Sequence, residues 1–367
     1  MKFKRIVIIA QQETLRERPR IHKVARILES LDQPFEIWKV GPAGESSAEG
    51  MPIRNLMTNE WRRRSPLLRY LVWMLSVFKA VIRTRRNTGF IAVGFDSAFP
   101  LSWIPSGLRP FIFDNVDNIS MSYRMLNSAK VFFTGLERWV AYRAAYHTNP
   151  SHDRWSHGGN NLRVIVNAPS RVAVDAAKRL ATDGNFSREN QVFTLYVNGW
   201  LAPTRGLGTL LRALDILRKR QVAVKVIVAG RPACPDADTL LKLPNVEHMG
   251  MLPNDEALSL YYRCNLAYIY YDPSVEINRL AESQKWTDCW ATGTPFVSNH
   301  EILTLAKFTE KQACYSLAYD SSEGLAQLIE QLACDEESLR ETGRRLSAMN
   351  FKFWDDEMRK VILEWIR

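Results

Sequence analysis

Residues 192–230, VFTLYVNGWLAPTRGLGTLLRALDILRKRQVAVKVIVAG, contain the pattern that decides the fold. An apolar run from Val192 to Val197 leads into a loop with three glycines. Leucines then recur at helical spacing between Gly206 and Arg220, and a second apolar run ends at Gly230. A strand, a helix and a strand in this order predict a βαβ unit with parallel strands.

The same alternation extends in both directions from this unit. Further strands are predicted at Arg5–Ala10, Phe35–Val40, Phe90–Phe95, Phe111–Val116, Val246–Gly250, Leu266–Tyr271 and Phe296–Ser298, and one long helix at Met121–Tyr146. The polar stretch Ala181–Asn190 is the best linker candidate. With 367 residues, the chain is long enough for two domains. We therefore expect an α/β protein with two doubly wound domains that face a central cleft, over residues 1–180 and 190–350.

Composition limits the class of protein and its partners. Hydrophobic residues make up 46% and charged residues 24% of the chain, which excludes a wholly disordered protein. The net charge of +10 favours anionic partners, such as nucleic acid, an acidic membrane surface or phosphorylated ligands. The five cysteines form no CxxC pair, and the apolar run after Met1 is too short for a signal peptide. We therefore expect a cytoplasmic protein.

Most of the positive charge lies in one segment. Between Arg54 and Arg86 there are nine basic residues and one acid, Glu60. The segment encloses the apolar run Leu67–Ile82, which is shorter than the roughly 20 residues of a membrane span. We expect a helix that lies in an anionic membrane interface; a helix packed on a sheet is the alternative. The residues expected to contact membrane or acceptor here are Arg62, Arg63, Arg64, Arg69, Trp73 and Lys79.

Two segments carry candidate ligand-binding residues. In the loop of the first βαβ unit, a helix N-terminus and Arg205 would suit a diphosphate. In the segment Arg279–Asn299, Lys285 and Asp288 lie three residues apart on one face of a predicted helix. Lys285 is suited to a phosphate or a sugar carboxylate, and Asp288 to the hydroxyls of a ribose. A surface Lys–Asp ion pair is the alternative.

Four stretches together resemble a known family: NGWLAPTRGL, KVIVAG, LPNVEHMGMLPNDEALSLYYRCNLAYIYYDP and QKWTDCWATGTPFV. In this order they resemble the donor-binding domain of GT-B glycosyltransferases, above all the retaining family 4, with some similarity to family-70 glucuronosyltransferases. The resemblance covers residues 192–299 well and the N-terminal half loosely. It implies the GT-B fold, a terminal helix at 352–367 that packs back on the first domain, a nucleotide-diphosphate-sugar donor, and chemistry without a metal or a cofactor.

The resemblance also implies donor-binding residues, with two departures. Arg205 takes the place of one basic residue of the family's phosphate-binding pair, but the other falls at Trp200. Asp288 takes the place of the second Glu of the EX7E motif, but the first falls at Leu280, which leaves Glu276 or Glu282 as substitutes. The expected donor-binding residues are Gly199, Arg205, Gly206, Gly230, Met251, Glu282, Lys285 and Asp288.

Candidate residues in the N-terminal half concern the acceptor. Asp117 matches the position of a carboxylate base in the glucuronosyltransferases, and a loop-capping carboxylate is the alternative. With Arg205 and Lys285 it completes the expected catalytic set. The loop after the first strand lacks the glycine pair of family 4, and its Arg18 and Arg20 would instead face an anionic acceptor.

These observations predict a cytoplasmic hexosyltransferase on the inner face of the membrane. It would transfer a sugar from a nucleotide sugar to a lipid-linked saccharide in surface polysaccharide synthesis, with retention as the family-4 default and inversion left open. The rival predictions are a nucleotide-sugar 2-epimerase, a basic nucleic-acid-binding or nucleic-acid-modifying protein, and an inactive binding subunit. We expect no nucleic-acid partner, because the apolar centre of the basic segment is a poor track for phosphates.

Overall fold

The chain divides into two compact α/β units. The computed structural model describes residues 3–12, 19–42, 44–122, 126–155, 159–183, 192–350 and 352–367. The first unit comprises Met1–Val166 and Trp354–Arg367, and the second comprises Asn167–Phe353. Each unit is built on one predominantly parallel sheet.

The first unit contains an eight-stranded sheet. Its described strands are β1 (Arg5–Ala10), β2 (Phe35–Val40), β3 (Ser47–Ala48), β4 (Met51–Met57), β5 (Thr88–Val93), β6 (Phe111–Asp114), β7 (Tyr146–Asn149) and β8 (Leu162–Val164). The helices before and between them are α1 (Pro19–Glu29), α2 (Pro66–Ile82), α3 (Phe95–Ser102), α4 (Ile119–Ser122) and α5 (Asn127–Arg143). The strand order is β3-β4-β2-β1-β5-β6-β7-β8, and only the β3–β4 pair is antiparallel. The chain therefore changes winding direction between β1 and β5.

Burial explains why the central strands and α2 form where they do. All six residues of β5 and five of the six in β1 are buried, as a parallel strand covered on both faces requires. Helix α2 begins after Ser65, whose hydroxyl accepts a hydrogen bond from the N–H of Leu68. Its buried residues, Trp73, Val77, Ala80 and Val81, recur at helical spacing and join the core on one face of the sheet.

The second unit contains a six-stranded sheet in which every pair is parallel. Its described strands are β9 (Phe193–Leu201), β10 (Val224–Pro232), β11 (Val246–His248), β12 (Leu266–Tyr268), β13 (Phe296–Asn299) and β14 (Tyr315–Leu317). Its described helices are α6 (Arg171–Asp183), α7 (Leu207–Lys219), α8 (Pro235–Leu240), α9 (Asn254–Ser259), α10 (Glu276–Arg279), α11 (Gln284–Thr292), α12 (Ala306–Thr309), α13 (Ser322–Cys334) and α14 (Glu336–Ala348). The order β11-β10-β9-β12-β13-β14 places the change of winding direction between β9 and β12.

The last helix, α15 (Trp354–Ile366), belongs to the first unit. It packs along α1, where the guanidinium of Arg359 donates a hydrogen bond to the hydroxyl of Ser30 over 2.6 Å. The ring of Trp365 lies 4.6 Å from that of Phe3, centroid to centroid. Aromatic contacts therefore hold the end of the chain against the first sheet.

The boundary between the units lies earlier than the expected residue 180. Helix α6 was assigned to the first domain, but it packs on α9, and its Val174 and Ala177 are buried in a core of the second unit. The first unit therefore ends at Val166. The single helix expected at Met121–Tyr146 is also wrong, since α4 and α5 are separate and Tyr146 begins β7.

At position 230 the fold leaves no space for a residue with a Cβ. The φ of Gly230 is +149°, and a Cβ built on it would lie 1.9 Å from the carbonyl oxygen of Gly199. We therefore predict that Gly230→Ala lowers the free energy of unfolding by about 3 kcal/mol through backbone strain and overpacking. Urea denaturation measures this. Gly107→Ala is the control, because a Cβ there meets nothing within 4 Å. Equal midpoints for the two variants would contradict the prediction.

Candidate functional site

Two glycines lie side by side two residues before the carboxyl ends of β9 and β10. Gly199 and Gly230 are register partners in the two strands. Gly199 has a φ of +92°, and a Cβ added to it would come within 3.2 Å of Cε of Lys285. The Lys285 side chain therefore extends over a backbone position without a side chain, beside the point where the sheet changes winding direction.

Arg205 and Lys285 both lie close to the ring of Tyr271. The guanidinium carbon of Arg205 is 4.5 Å from the ring centroid and Nζ of Lys285 is 5.5 Å from it. Nζ of Lys285 also lies 3.5 Å from the Tyr271 hydroxyl, which donates to Oγ of Ser283 over 2.7 Å. In the part of the chain that the structure describes, neither cation is in an ion pair with a carboxylate. Two positive charges are thus held together without a balancing acid.

Arg205 and Lys285 lower the pKa of Tyr271, which lies between them in the sequence. Burial raises the pKa of Tyr271, but the charges of Lys285 and Arg205 and the hydrogen bond to Ser283 outweigh this effect. The pKa of the hydroxyl is therefore below the usual value for a tyrosine. The two charges therefore favour the ionised form of the Tyr271 hydroxyl.

Helix α11 fixes the position of Lys285. Oγ of Ser283 accepts a hydrogen bond from the N–H of Lys285 over 3.2 Å and caps the helix, which ends at Gly293 in the left-handed conformation. Trp286 and Cys289 anchor the helix in the core. The positive end of the helix dipole adds to the charge of Lys285.

Gly206 was expected to bind the donor, whereas its contacts indicate that it packs the loop on the sheet. Its N–H donates to the hydroxyl of Tyr319 over 3.2 Å, and its carbonyl accepts from the hydroxyl of Tyr268 over 2.6 Å. A Cβ at Gly206 would lie 2.6 Å from that Tyr268 hydroxyl. Because both backbone groups are used, Gly206 packs the loop on the sheet, and α7 begins one residue later.

The other expected donor-binding residues lie in different environments. Glu282 is buried and forms an ion pair of 2.6 Å with Lys307. Asp288 is buried on α11, where its charge adds to the effect of burial in raising the pKa of Tyr261. Met251 is 64% exposed in the loop after β11. The sequence analysis did not single out Tyr271 or Lys307. An aromatic residue shortly after a strand and a lysine near the surface have no distinctive sequence spacing.

The expected base, Asp117, is exposed in the loop after β6. Its side chain is 63% exposed and lies 3.3 Å from the guanidinium of the buried Arg154. Arg20 is not a free cation, because it pairs with the buried Asp114 at 3.4 Å and lies over the ring of Trp354. Arg18 lies outside the described residues.

Helix α2 has two opposite apolar faces, of which one is buried and the other is exposed. Trp73 was expected at a membrane surface, but it is completely buried and its indole N–H donates to Ser97, so this expectation is wrong. The opposite face carries exposed apolar side chains, with the exposed Lys79 among them, at Leu67, Leu68, Leu71, Leu75, Phe78 and Ile82. Arg64 is exposed before the helix, whereas Arg69 is half-buried beside Tyr70. The side chains of Arg62 and Arg63 lie outside the described part of the structure.

The described residues contain neither a bilayer-spanning helix nor a cluster of metal ligands. No helix among them is long and apolar enough to cross a bilayer. Likewise, the described His, Cys, Asp and Glu side chains form no group of three that could hold a metal ion. Chemistry without a metal or a cofactor stays a prediction.

Comparison with known proteins identifies relatives by fold and not by sequence. No protein-family model and no curated protein matches the sequence. Sucrose-phosphate synthase from Thermosynechococcus elongatus is 12% identical over 99% of both chains, with a TM-score of 0.67. HepE from Anabaena, solved with UDP-glucose, is 14% identical over 99% of both chains, with a TM-score of 0.66. A putative UDP-N-acetylglucosamine 2-epimerase from Listeria monocytogenes is 11% identical over 99% of this chain and 98% of that one, with a TM-score of 0.60.

These similarities establish the fold. The chain has two parallel-sheet, Rossmann-like units and the GT-B fold of these structures. The predicted fold class is therefore confirmed. Membership of family 4 or similarity to family 70 stays a prediction.

The lowered pKa of Tyr271 gives a test of the site. We predict that Tyr271 ionises at a lower pH than an ordinary tyrosine, so that Tyr271→Phe removes an early phase of an absorbance titration at tyrosinate wavelengths. Inorganic pyrophosphate bound by Arg205 and Lys285 would shift this phase to higher pH, because a nearby anion opposes ionisation. Tyr142→Phe, which changes an exposed tyrosine of α5, is the control. An unchanged early phase in Tyr271→Phe would contradict the assignment.

Proposed function

We propose that this protein is a glycosyltransferase that uses a nucleotide-diphosphate sugar. The observation that carries the proposal is the pair of cations, Arg205 and Lys285, which lie against the ring of Tyr271 without a carboxylate partner among the described residues, with Lys285 extending over the backbone of Gly199. A diphosphate provides two negative charges for two cations and fits where no side chain intervenes. The fold shared with HepE, which was solved with UDP-glucose, supports this choice of ligand.

The same geometry suits the chemistry of sugar transfer. When the bond between the sugar and the diphosphate breaks, negative charge accumulates on the leaving phosphate. Preorganised cations stabilise that charge more in the transition state than in the ground state. In this proposal Lys285 supplies the second positive charge of the phosphate-binding pair, because the tryptophan at position 200 is uncharged.

The remaining roles follow the resemblance to family 4 and family 70. Asp288 would hold the ribose, the exposed Met251 would lie against the base, and Glu282 with its partner Lys307 would lie near the sugar. Asp117 is our candidate for the group that accepts the proton of the acceptor hydroxyl. We propose transfer of a hexosyl unit, with retention as in family 4.

We further propose a lipid-linked saccharide acceptor and a site of action on the cytoplasmic face of the membrane, in surface polysaccharide synthesis. The exposed apolar face of α2 supports this proposal. Helices α2, α3 and α5 cover one face of the first sheet, and Val131 and Phe132 of α5 are also exposed. Basic residues border this apolar layer, as contact with anionic headgroups requires.

A nucleotide-sugar 2-epimerase is the second candidate, because a putative UDP-N-acetylglucosamine 2-epimerase shares the fold. An epimerase would use the same diphosphate site but has no need of a membrane surface. Incubation with UDP-sugars and native membranes separates the two functions. With a UDP-sugar that is radiolabelled in the sugar, transfer of the label to lipid supports a transferase, whereas interconversion of the free nucleotide sugar supports an epimerase.

Lys285 gives the sharpest test of the donor site. We predict that Lys285→Met weakens UDP binding about tenfold, because a charge-assisted hydrogen bond to a phosphate is lost. Isothermal titration calorimetry measures the dissociation constant. Lys311→Met removes an exposed lysine of the same unit and should leave it unchanged. If both variants bind UDP as the unchanged protein does, the diphosphate does not lie at Lys285.

The membrane surface is tested separately with vesicles. We predict that Leu71→Ser combined with Leu75→Ser weakens binding to phosphatidylglycerol vesicles roughly tenfold or more, because two apolar side chains no longer enter the bilayer. Co-sedimentation measures bound protein. Val172→Ser changes a similarly exposed residue on α6 and should have no effect. Equal sedimentation of all three proteins would exclude α2 as the contact.

A further inference from the structure

Two polar side chains adjoin the point where the turn after β11 is bonded to β10. The N–H of Gly230 donates to the carbonyl of Gly250 over 2.8 Å, and the carbonyl of Gly230 lies 3.4 Å from Nε2 of His248. Both backbone groups of Gly230 are therefore used to hold this turn. The residue that follows Gly230 in β10 is Arg231, so Arg231 and His248 both adjoin Gly230 near the carboxyl edge of the second sheet.

Arg231 carries hydrogen-bond donors that the protein itself does not use. It is exposed, and its register partner in β9 is the uncharged Trp200. In the ranges that the structure describes, Arg231 forms neither an ion pair nor a side-chain hydrogen bond. A guanidinium group has five N–H donors and no acceptor. A ligand group at Arg231 must therefore accept hydrogen bonds.

His248 carries an acceptor. A carbonyl oxygen can only accept a hydrogen bond, so the contact with Gly230 places a hydrogen on Nε2 of His248. In the neutral imidazole, the other ring nitrogen, Nδ1, then accepts. The residue is exposed, so a ligand can approach it. A ligand that reaches both Arg231 and His248 therefore needs an acceptor and a donor next to each other.

Space for a flat ring lies in the same turn. Gly250 has a φ of +69°, and a Cβ added to it would meet no described atom within 4 Å. Met251 follows it and is 64% exposed. The unbranched thioether side chain of methionine adapts well to the ring of a ligand. The turn thus offers an open apolar position near a donor and an acceptor.

Nucleobases differ in the edge that they present to such a pair. Uracil, thymine and guanine carry a carbonyl oxygen beside a ring N–H, so they accept from a guanidinium and donate to an imidazole nitrogen. Cytosine and adenine carry an amino group beside a ring nitrogen that accepts. With these two bases, donor would face donor and acceptor would face acceptor. They are disfavoured because polar groups of the protein lose water without gaining a partner.

We infer that Arg231 and His248 select the base of the nucleotide, and that they favour a base with a carbonyl oxygen beside a ring N–H. Uracil, thymine and guanine meet this requirement. The inference rests on the proposed function, because it takes a nucleoside diphosphate as the ligand. It adds to that function, because the proposed contacts of Arg205 and Lys285 are with the diphosphate, which is the same whichever base is attached.

Isothermal titration calorimetry with matched nucleotides on the whole chain tests the selection. UDP and CDP share the ribose, the diphosphate and the size of the ring, and they differ only at the edge in question. We expect UDP to bind at least about tenfold more tightly than CDP, because both hydrogen bonds to the base are lost with CDP. GDP and ADP form a second pair, which decides if neither pyrimidine nucleotide binds, and there GDP should bind more tightly.

Variants of Arg231 separate base selection from a general effect of charge. Arg231→Met removes the donors and should bring the dissociation constants of the two nucleotides in a pair close to each other. Arg231→Glu supplies an acceptor and should reverse the preference, because a carboxylate accepts from the amino group of cytosine or adenine. The ratio of the two constants is the measure, because a change of charge near the diphosphate alters both constants alike.

Two further variants complete the test. His248→Phe keeps a ring of similar size without the acceptor, so it should also reduce the preference. Arg218→Met is the matched control, since it removes an exposed arginine from the last turn of α7 in the same unit. It should leave the preference unchanged.

Each outcome decides the inference. Equal binding of the two nucleotides in a pair, or tighter binding of CDP or ADP, overturns it and leaves the proposed function standing. A preference that survives in Arg231→Met also overturns it, since another group then reads the base. If none of the four nucleotides binds, both the inference and the proposed function are overturned. Loss of the preference in Arg231→Met, with the preference kept in Arg218→Met, supports the inference.

Discussion

Two positive charges beside one buried tyrosine are the constraint on which the second unit depends. Like charges repel, and removing them from water is costly, so a fold keeps Arg205 and Lys285 together only if other contacts fix them. The Tyr271 ring and the start of α11 do so, and the Ser283 hydroxyl links the two. A site that is arranged before the ligand arrives loses little entropy on binding and little reorganisation energy during the reaction.

The edge of the sheet in the first unit is organised by the opposite principle. There the cation Arg20 is used internally, since it balances Asp114, whose other neighbour, the Thr148 hydroxyl, donates to it over 2.6 Å. At the same edge, the carboxamides of Gln12 and Asn115 are buried and have no hydrogen-bond partner in the described part of the chain. Among the described residues, the two sheets therefore differ in how their arginines are used: Arg20 is paired within the first unit, whereas Arg205 has no ion-pair partner in the second. In this fold, the class of ligand is set by the residues just beyond the strands and not by the strands themselves.

Sequence patterns predicted strands that are continuous apolar runs and missed a strand that contains polar residues. The limits of β1 and β2 were predicted to the residue, because buried parallel strands are continuous apolar runs. Strand β7, with the sequence YHTN, has no such run and was missed. Arg205 and Lys285 were singled out as candidates because charge at a helix N-terminus has a recognisable sequence context. Tyr271 was not singled out, since its contacts with both cations exist only in the folded chain.

Helix α2 shows why spacing alone does not give orientation. Trp73 and Val77 lie on one side and Leu71 and Leu75 on the other, and both pairs have helical spacing, so the sequence did not indicate which pair faces the core. The packing leaves Leu71 and Leu75 outside, and a large exposed apolar face needs an explanation in function. Between residues 61 and 113 the sequence contains a single acid, Asp96. A basic rim around an apolar face is what the proposed contact with an anionic bilayer requires, because apolar side chains enter the bilayer while lysines and arginines meet the headgroups.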